Sequence, residues 1–149
     1  KNYLQQTELI GEYLTGAVYD GRPVPQAVSN GIQELQSQRN EIAKLIAETD
    51  KSGNTKEASQ KKAAEMLSEL DLNQQYRQTP AEVLYDTLLY LDHTDRRLLS
   101  NQYAWTRSLS SEGNLVYAGH FGQDGLYVDY NWPIYSRDIL GVALQVVSQ

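Results

Sequence analysis

Apolar residues recur at Tyr3/Leu4, Ile10, Tyr13/Leu14 and Ala17/Val18, close to one helical turn apart, so the pattern predicts an amphipathic helix over 3–19. Asp20-Gly21-Arg22-Pro23 stops it, because glycine suits the position after a helix end and proline cannot continue the ladder. Pro25 can open the next element, and Ile32, Leu35, Ile42 and Leu45/Ile46 stripe a helix running to about Thr49. A third helix is expected over 55–70, with Ala63, Met66/Leu67 and Leu70 on its apolar side. Residues 71–78 are polar and predict a loop. Thr79-Pro80-Ala81-Glu82 then announces a fourth helix: Thr79 caps, Pro80 has the preset φ of a first turn, and Glu82 completes a capping box. Val83/Leu84, Leu88, Leu91 and Leu98/Leu99 follow on it.

After Ser100 the period changes from helical to two. Tyr103, Trp105, Arg107 and Leu109 alternate with Ala104, Thr106 and Ser108, as in a strand with two different faces. Ser110-Ser-Glu-Gly-Asn114 reads as a hairpin turn into a return strand over 115–118. Residues 119–125 predict a loop, and 126–130, 132–135 and 139–147 predict further strands, with Arg137-Asp138 at a turn. Five short antiparallel strands after a helical lead-in place the chain in the α+β class. A single domain is expected over 1–149, helical over 1–99 and sheet-forming over 100–149.

Composition sharpens that division. Both tryptophans and the single phenylalanine lie after residue 100, and no lysine follows Lys62. The formal charge is −6 with no basic stripe, which argues against nucleic acid and anionic membrane surfaces as partners. Cysteine is absent, so disulfides, thiolate metal sites and cysteine catalysis are excluded. No run of residues approaches the ~20 apolar positions of a membrane span. The chain starts at Lys1 directly before its first helix and stops at Gln149 after a strand-like run, ends expected of a piece of something longer.

Candidate chemistry is sparse. Asp50, Ser52 and Asn54 begin like a calcium loop, but its twelfth position is Lys61 where a bidentate Glu is required, so a plain turn is expected. Asp92, His93 and Asp95 lack the paired histidines of a helical zinc site and read as a charged helix end beside Arg96 and Arg97. No nucleophile elbow, phosphate loop or dinucleotide fingerprint is present, so no catalytic residue, metal or cofactor is assigned. The sheet half offers more. Arg107 shares a strand face with Tyr103 and Trp105, where it would clamp a carboxylate, or stack on Trp105 facing solvent. Asp129 shares a face with Tyr127 and would accept a ligand ammonium, or stand as an exposed strand carboxylate. Tyr117, His120, Trp132 and Tyr135 would line the same pocket or fill a core, and His120 would titrate near neutrality in a loop. Gly141 and Ala143 share a face that leaves room for a ligand or a closely packed helix.

Leu109-Ser-Ser-Glu-Gly-Asn-Leu-Val116 resembles the early hairpin of Cache domains, the extracytoplasmic relatives of PAS folds in bacterial receptors. The run from Trp132-Pro-Ile-Tyr135 to Leu140-Gly-Val142 and on through Val147 resembles that family's closing strand pair. A long N-terminal helix and shorter helices before the sheet also resemble the single-Cache layout. The arginine–tryptophan–tyrosine run of the amino-acid-sensing form is replaced here by Trp105-Thr-Arg107. The resemblance implies a periplasmic sensor of an inner-membrane chemoreceptor, histidine kinase or cyclic-dinucleotide enzyme, touching the membrane only through flanking spans. It implies a small ligand of the amino-acid, amine or carboxylate class, held between sheet and helices. The stripe over 3–18 would pair with its own copy in a homodimer, or pack on its own sheet. The rival expectation is a helical interaction or assembly module whose rings form a core and leave no small-molecule pocket.

Overall fold

A computed structural model describes residues 1–145. Helix α1 spans Tyr3–Tyr13, α2 Gln26–Ala47, α3 Glu57–Glu69, α4 Asp71–Tyr76 and α5 Pro80–Thr94. The strands are β1 Tyr103–Leu109, β2 Leu115–Gly122, β3 Gly125–Asn131 and β4 Leu140–Val142. The chain is α+β, with the helices packed on the C-terminal sheet. No helix among the described residues is long and apolar enough to cross a membrane.

Asn2 caps α1 through a full capping box with Gln5. The expected continuation to Tyr19 is present but widens into a π-helical turn over Leu14–Val18. Thr15 donates its hydroxyl to the Gly11 carbonyl, the acceptor an α-helical ladder would reserve for the Thr15 amide. The buried seam of α2 is Val28, Gly31, Leu35, Ile42 and Ile46, and a Cβ added at Gly31 would stand 3.2 Å from Leu72 of α4. Asp50 forms a turn as expected, its carboxylate accepting the Ser52 and Asn54 amides at 2.8 and 2.9 Å.

Residues 71–76 are helical, not the expected loop. Leu72 and Tyr76 point into the core one turn apart, and Asn73 is buried between them, donating to the Leu67 carbonyl at 2.7 Å. Of the polar residues that suggested a loop, Asn73, Arg77 and Gln78 are buried, while Asp71, Gln74 and Gln75 stay exposed. Arg77, which follows, is fully buried: it donates to Asn73 Oδ1 (2.7 Å), Gln6 Oε1 (3.3 Å), the Tyr3 carbonyl (3.2 Å) and Thr7 Oγ1 (3.2 Å). Its guanidinium also lies 3.8 Å from the centre of the Tyr3 ring.

Among the described residues the sheet has four strands in the order β3-β2-β1-β4, one fewer than expected, and it is mixed. β1–β2 and β2–β3 are antiparallel, but β4 runs parallel to β1, pairing Tyr103 with Leu140 and Trp105 with Val142. The parallel run follows from the long crossover between β3 and β4. The expected strand over 132–135 is a turn, closed by the Tyr135 amide on the Trp132 carbonyl at 3.0 Å, and Pro133 within it has no amide to donate to a ladder. The expected loop over 119–125 is mostly strand: β2 continues to Gly122 and β3 starts at Gly125, whose φ of +103° glycine accommodates. The expected strand over 139–147 is reduced to β4 and a bridge between Arg77 and Leu144, and 146–147 lie outside the described residues.

Trp105, Leu115, Tyr117 and Leu140 face α1 to α4 and form the main core with Tyr3, Ile10, Ile42, Leu67 and Leu72. The opposite pleat carries Ala104, Thr106, Val116 and Ala118, and α5 lies across β2. Of the α5 side chains only Val83 and Thr87 are buried. Of the stripe over 3–18, Tyr3, Leu4, Ile10 and Leu14 are buried inside their own chain, whereas Tyr13 and Ala17 stay exposed.

Candidate functional site

Strand register assembles the site. Trp105 pairs with Tyr117 and Tyr117 with Asp129, giving one row of side chains across β1, β2 and β3. Tyr103, Gly119 and Tyr127 form the next row. Gly119 is the low point of that row: a Cβ there would lie 2.1 Å from the Gln102 carbonyl oxygen. Beside these rows the 135–140 segment folds back, and together Tyr103, Tyr117, Asp129, Tyr135, Arg137 and Leu140 enclose a niche of about 100 Å³.

Three tyrosine rings shape it. Tyr103 meets Tyr117 edge-on at 5.2 Å, and Tyr135 stacks parallel to Tyr117 at 6.2 Å. The Tyr117 hydroxyl donates to Asp129 Oδ2 at 3.4 Å, while Asp129 Oδ1 accepts the Tyr130 amide at 2.8 Å. Burial, and then the Asp129 carboxylate, push the Tyr117 phenol up to about 12, so it stays a neutral donor at any physiological pH. Arg137 Nη1 donates to the Tyr135 hydroxyl at 3.3 Å, and that bond holds the guanidinium above its ordinary value. One carboxylate and one guanidinium, Asp129 and Arg137, line the niche together with tyrosine hydroxyls and ring faces.

Of the nine residues singled out from sequence, Tyr103, Tyr117, Asp129 and Tyr135 line this niche. His120 stacks on Tyr103 at 5.6 Å and meets Tyr127 at 6.3 Å, extending the aromatic rim outward. His120 lies in β2 and has a φ of +51° where the β2–β3 register shifts, not in a free loop. Trp105 is fully buried beneath the niche, against Tyr3, Tyr117 and Tyr135, with no hydrogen-bond partner for Nε1. Trp132 is half-buried in the 132–135 turn and does not line the niche.

Arg107 does not line the niche. It shares a nominal face with Tyr103 and Trp105, but its guanidinium reaches away to the Gln74 carbonyl of α4 and to Glu82, 3.3 Å distant at the start of α5. Arg137 was missed, although it is the only cation after Arg107 and so had a sequence signal.

A second hollow of about 210 Å³ lies between the π-helical turn, Tyr76 and Leu144–Gln145, but its lining brings no charged side chains together. No family model, curated protein or solved structure matches the chain.

Proposed function

We propose that this is an extracytoplasmic small-molecule sensing domain of a bacterial signal-transduction receptor, of the single-Cache, PAS-like kind, and that the ligand carries an ammonium group. One observation carries the reading: three tyrosine rings and the Asp129 carboxylate converge on a single niche. An ammonium over ring faces beside a carboxylate gains both cation–π attraction and a charge-assisted hydrogen bond. At about 100 Å³ the niche admits the ammonium head of a ligand and leaves the remainder outside. A carboxylate ligand would have Arg137 as its partner in the niche, since Arg107 is engaged elsewhere, and it is the competing option that the test separates.

Signal output follows the packing. Tyr117 and Tyr135 both press on Trp105, which meets the Tyr3 ring at 5.5 Å, and Tyr3 donates to the Thr106 carbonyl at 2.8 Å. Gln6 of α1 donates to the Leu140 carbonyl beside the niche at 2.8 Å. A ligand that favours one packing of these rings would shift α1 relative to the sheet.

The test is a thermal-shift and calorimetric series of primary and methylated amines beside matched carboxylates. Amines should stabilise the domain by several degrees and carboxylates should not. Asp129→Asn should abolish the amine response, whereas Arg137→Ala should strengthen it by removing the built-in competitor. A wild-type chain that no amine stabilises would favour the rival, a helical interaction or assembly module with no small-molecule pocket. A response that survives Asp129→Asn would place the ligand somewhere else.

A further inference from the structure

Helix α5 is apolar on two sides. Val83 and Thr87 fill the side against the sheet. On the outer side Leu84, Tyr85, Leu88 and Leu89 are 41, 65, 49 and 43 % exposed, and Leu98 just beyond the helix is 40 % exposed. A helix that is apolar nearly all round is normally enclosed. At about 200 Å² for each large side chain, these five leave on the order of 500 Å² of open apolar surface. That is at the upper end of what a monomer carries in one patch. Asp86, Leu89, Tyr90, His93 and Leu98 also outline an open groove of about 380 Å³ along it.

We infer that this face is where two copies of the chain pair, about a twofold axis near Leu88. Area selects a second copy: doubled across a twofold, the patch buries on the order of 1,000 Å², where specific interfaces begin, so a weak reversible dimer is expected. Charge adds nothing to the pairing, because Glu82 is held by Arg107 and Asp92 and Asp95 offset Arg96 and Arg97 at the helix end. The inference does not require the niche to bind anything.

The experiment uses the full chain. Sedimentation should show a concentration-dependent monomer–dimer equilibrium. Leu88→Glu should leave a monomer with unchanged circular dichroism and melting temperature, since Leu88 is already half exposed. The chain has no cysteine, so a single one introduced at Leu88 can be oxidised cleanly. Close to the axis it should cross-link nearly quantitatively, while one at Tyr127, on the sheet face away from α5, should not. A wild-type chain that stays monomeric at ~1 mM, a dimer that survives Leu88→Glu, or equal cross-linking at both positions would overturn the inference. So would a monomer that binds lipid vesicles and loses that binding in Leu88→Glu, because the occupant would then be a membrane.

Discussion

Replacing Arg77 with methionine tests what holds α1 onto the rest of the fold. The arginine is fully buried, and its hydrogen bonds to Asn73, Gln6, Tyr3 and Thr7 all end on neutral oxygens. Burial pulls it below the ordinary arginine value, the mark of a cation without a counter-ion close by. Methionine keeps the length and the apolar stem but withdraws every donor. Gln6 Oε1 loses its donor, and Asn73 Oδ1 is left with the Thr7 hydroxyl 3.1 Å away. A buried acceptor left bare costs about 1–3 kcal/mol, and the lost charge-assisted bond to Asn73 about 1.5–3 more. Release from burying a guanidinium offsets part of that. The net loss should be about 3 kcal/mol, or a melting temperature lower by roughly 6–12 °C for a chain of this size. Urea unfolding followed by far-UV circular dichroism and by Trp105 fluorescence measures it. Arg77→Lys should lose a similar amount, because lysine keeps the charge but not the planar fork stacked on Tyr3. A methionine variant within ~0.5 kcal/mol of wild type, or more stable, would refute the reasoning: the guanidinium would then be tolerated by the core without anchoring it.

Gly119→Ala should destabilise by about 3 kcal/mol or more. Its Cβ would meet the Gln102 carbonyl at 2.1 Å and the Tyr103 Cα at 2.6 Å, both backbone atoms that cannot turn aside; a melting curve close to wild type would show that β1 and β2 are not so closely apposed. In an ultraviolet titration Tyr117 should ionise near pH 12, with Tyr3 and Tyr76 also held up by burial, and Tyr117→Phe should remove one tyrosine's worth of the late absorbance. The free phenol titrates near ~10, so the folded state holds this proton longer than the unfolded chain does. The stability this contributes is whole below pH ~10 and is lost as the pH climbs through 12.

The elements that sequence anticipates well are those whose signals are local. Thr79-Pro80-Ala81-Glu82 starts α5 with the capping box it encodes, and the Gly113 turn joins β1 to β2. What escapes is decided by distant partners. Asp71 to Arg77 looks like a polar loop because nothing nearby shows that Asn73 and Arg77 will turn inward to meet Tyr3, Gln6 and Thr7. The direction of β4 depends on where a crossover lands, which periodicity does not encode. In the candidate site, alternation correctly grouped Tyr103 with Trp105 and Tyr127 with Asp129, but it overshot at Arg107. Its partners, the Gln74 carbonyl and Glu82, are set by how α4 and α5 pack, of which a two-residue period carries no sign.

The parallel pairing of β4 with β1 also sets a schedule for synthesis. β1 leaves the ribosome well before Leu140–Val142, the strand that covers its outer edge. At ~5–20 residues per second the nascent chain carries that open edge for seconds. Gln6, emerging earlier still, waits longer for the Leu140 carbonyl. An uncovered strand edge invites pairing with a neighbouring chain, so crowded translation is the stage at which this protein is most exposed to aggregation.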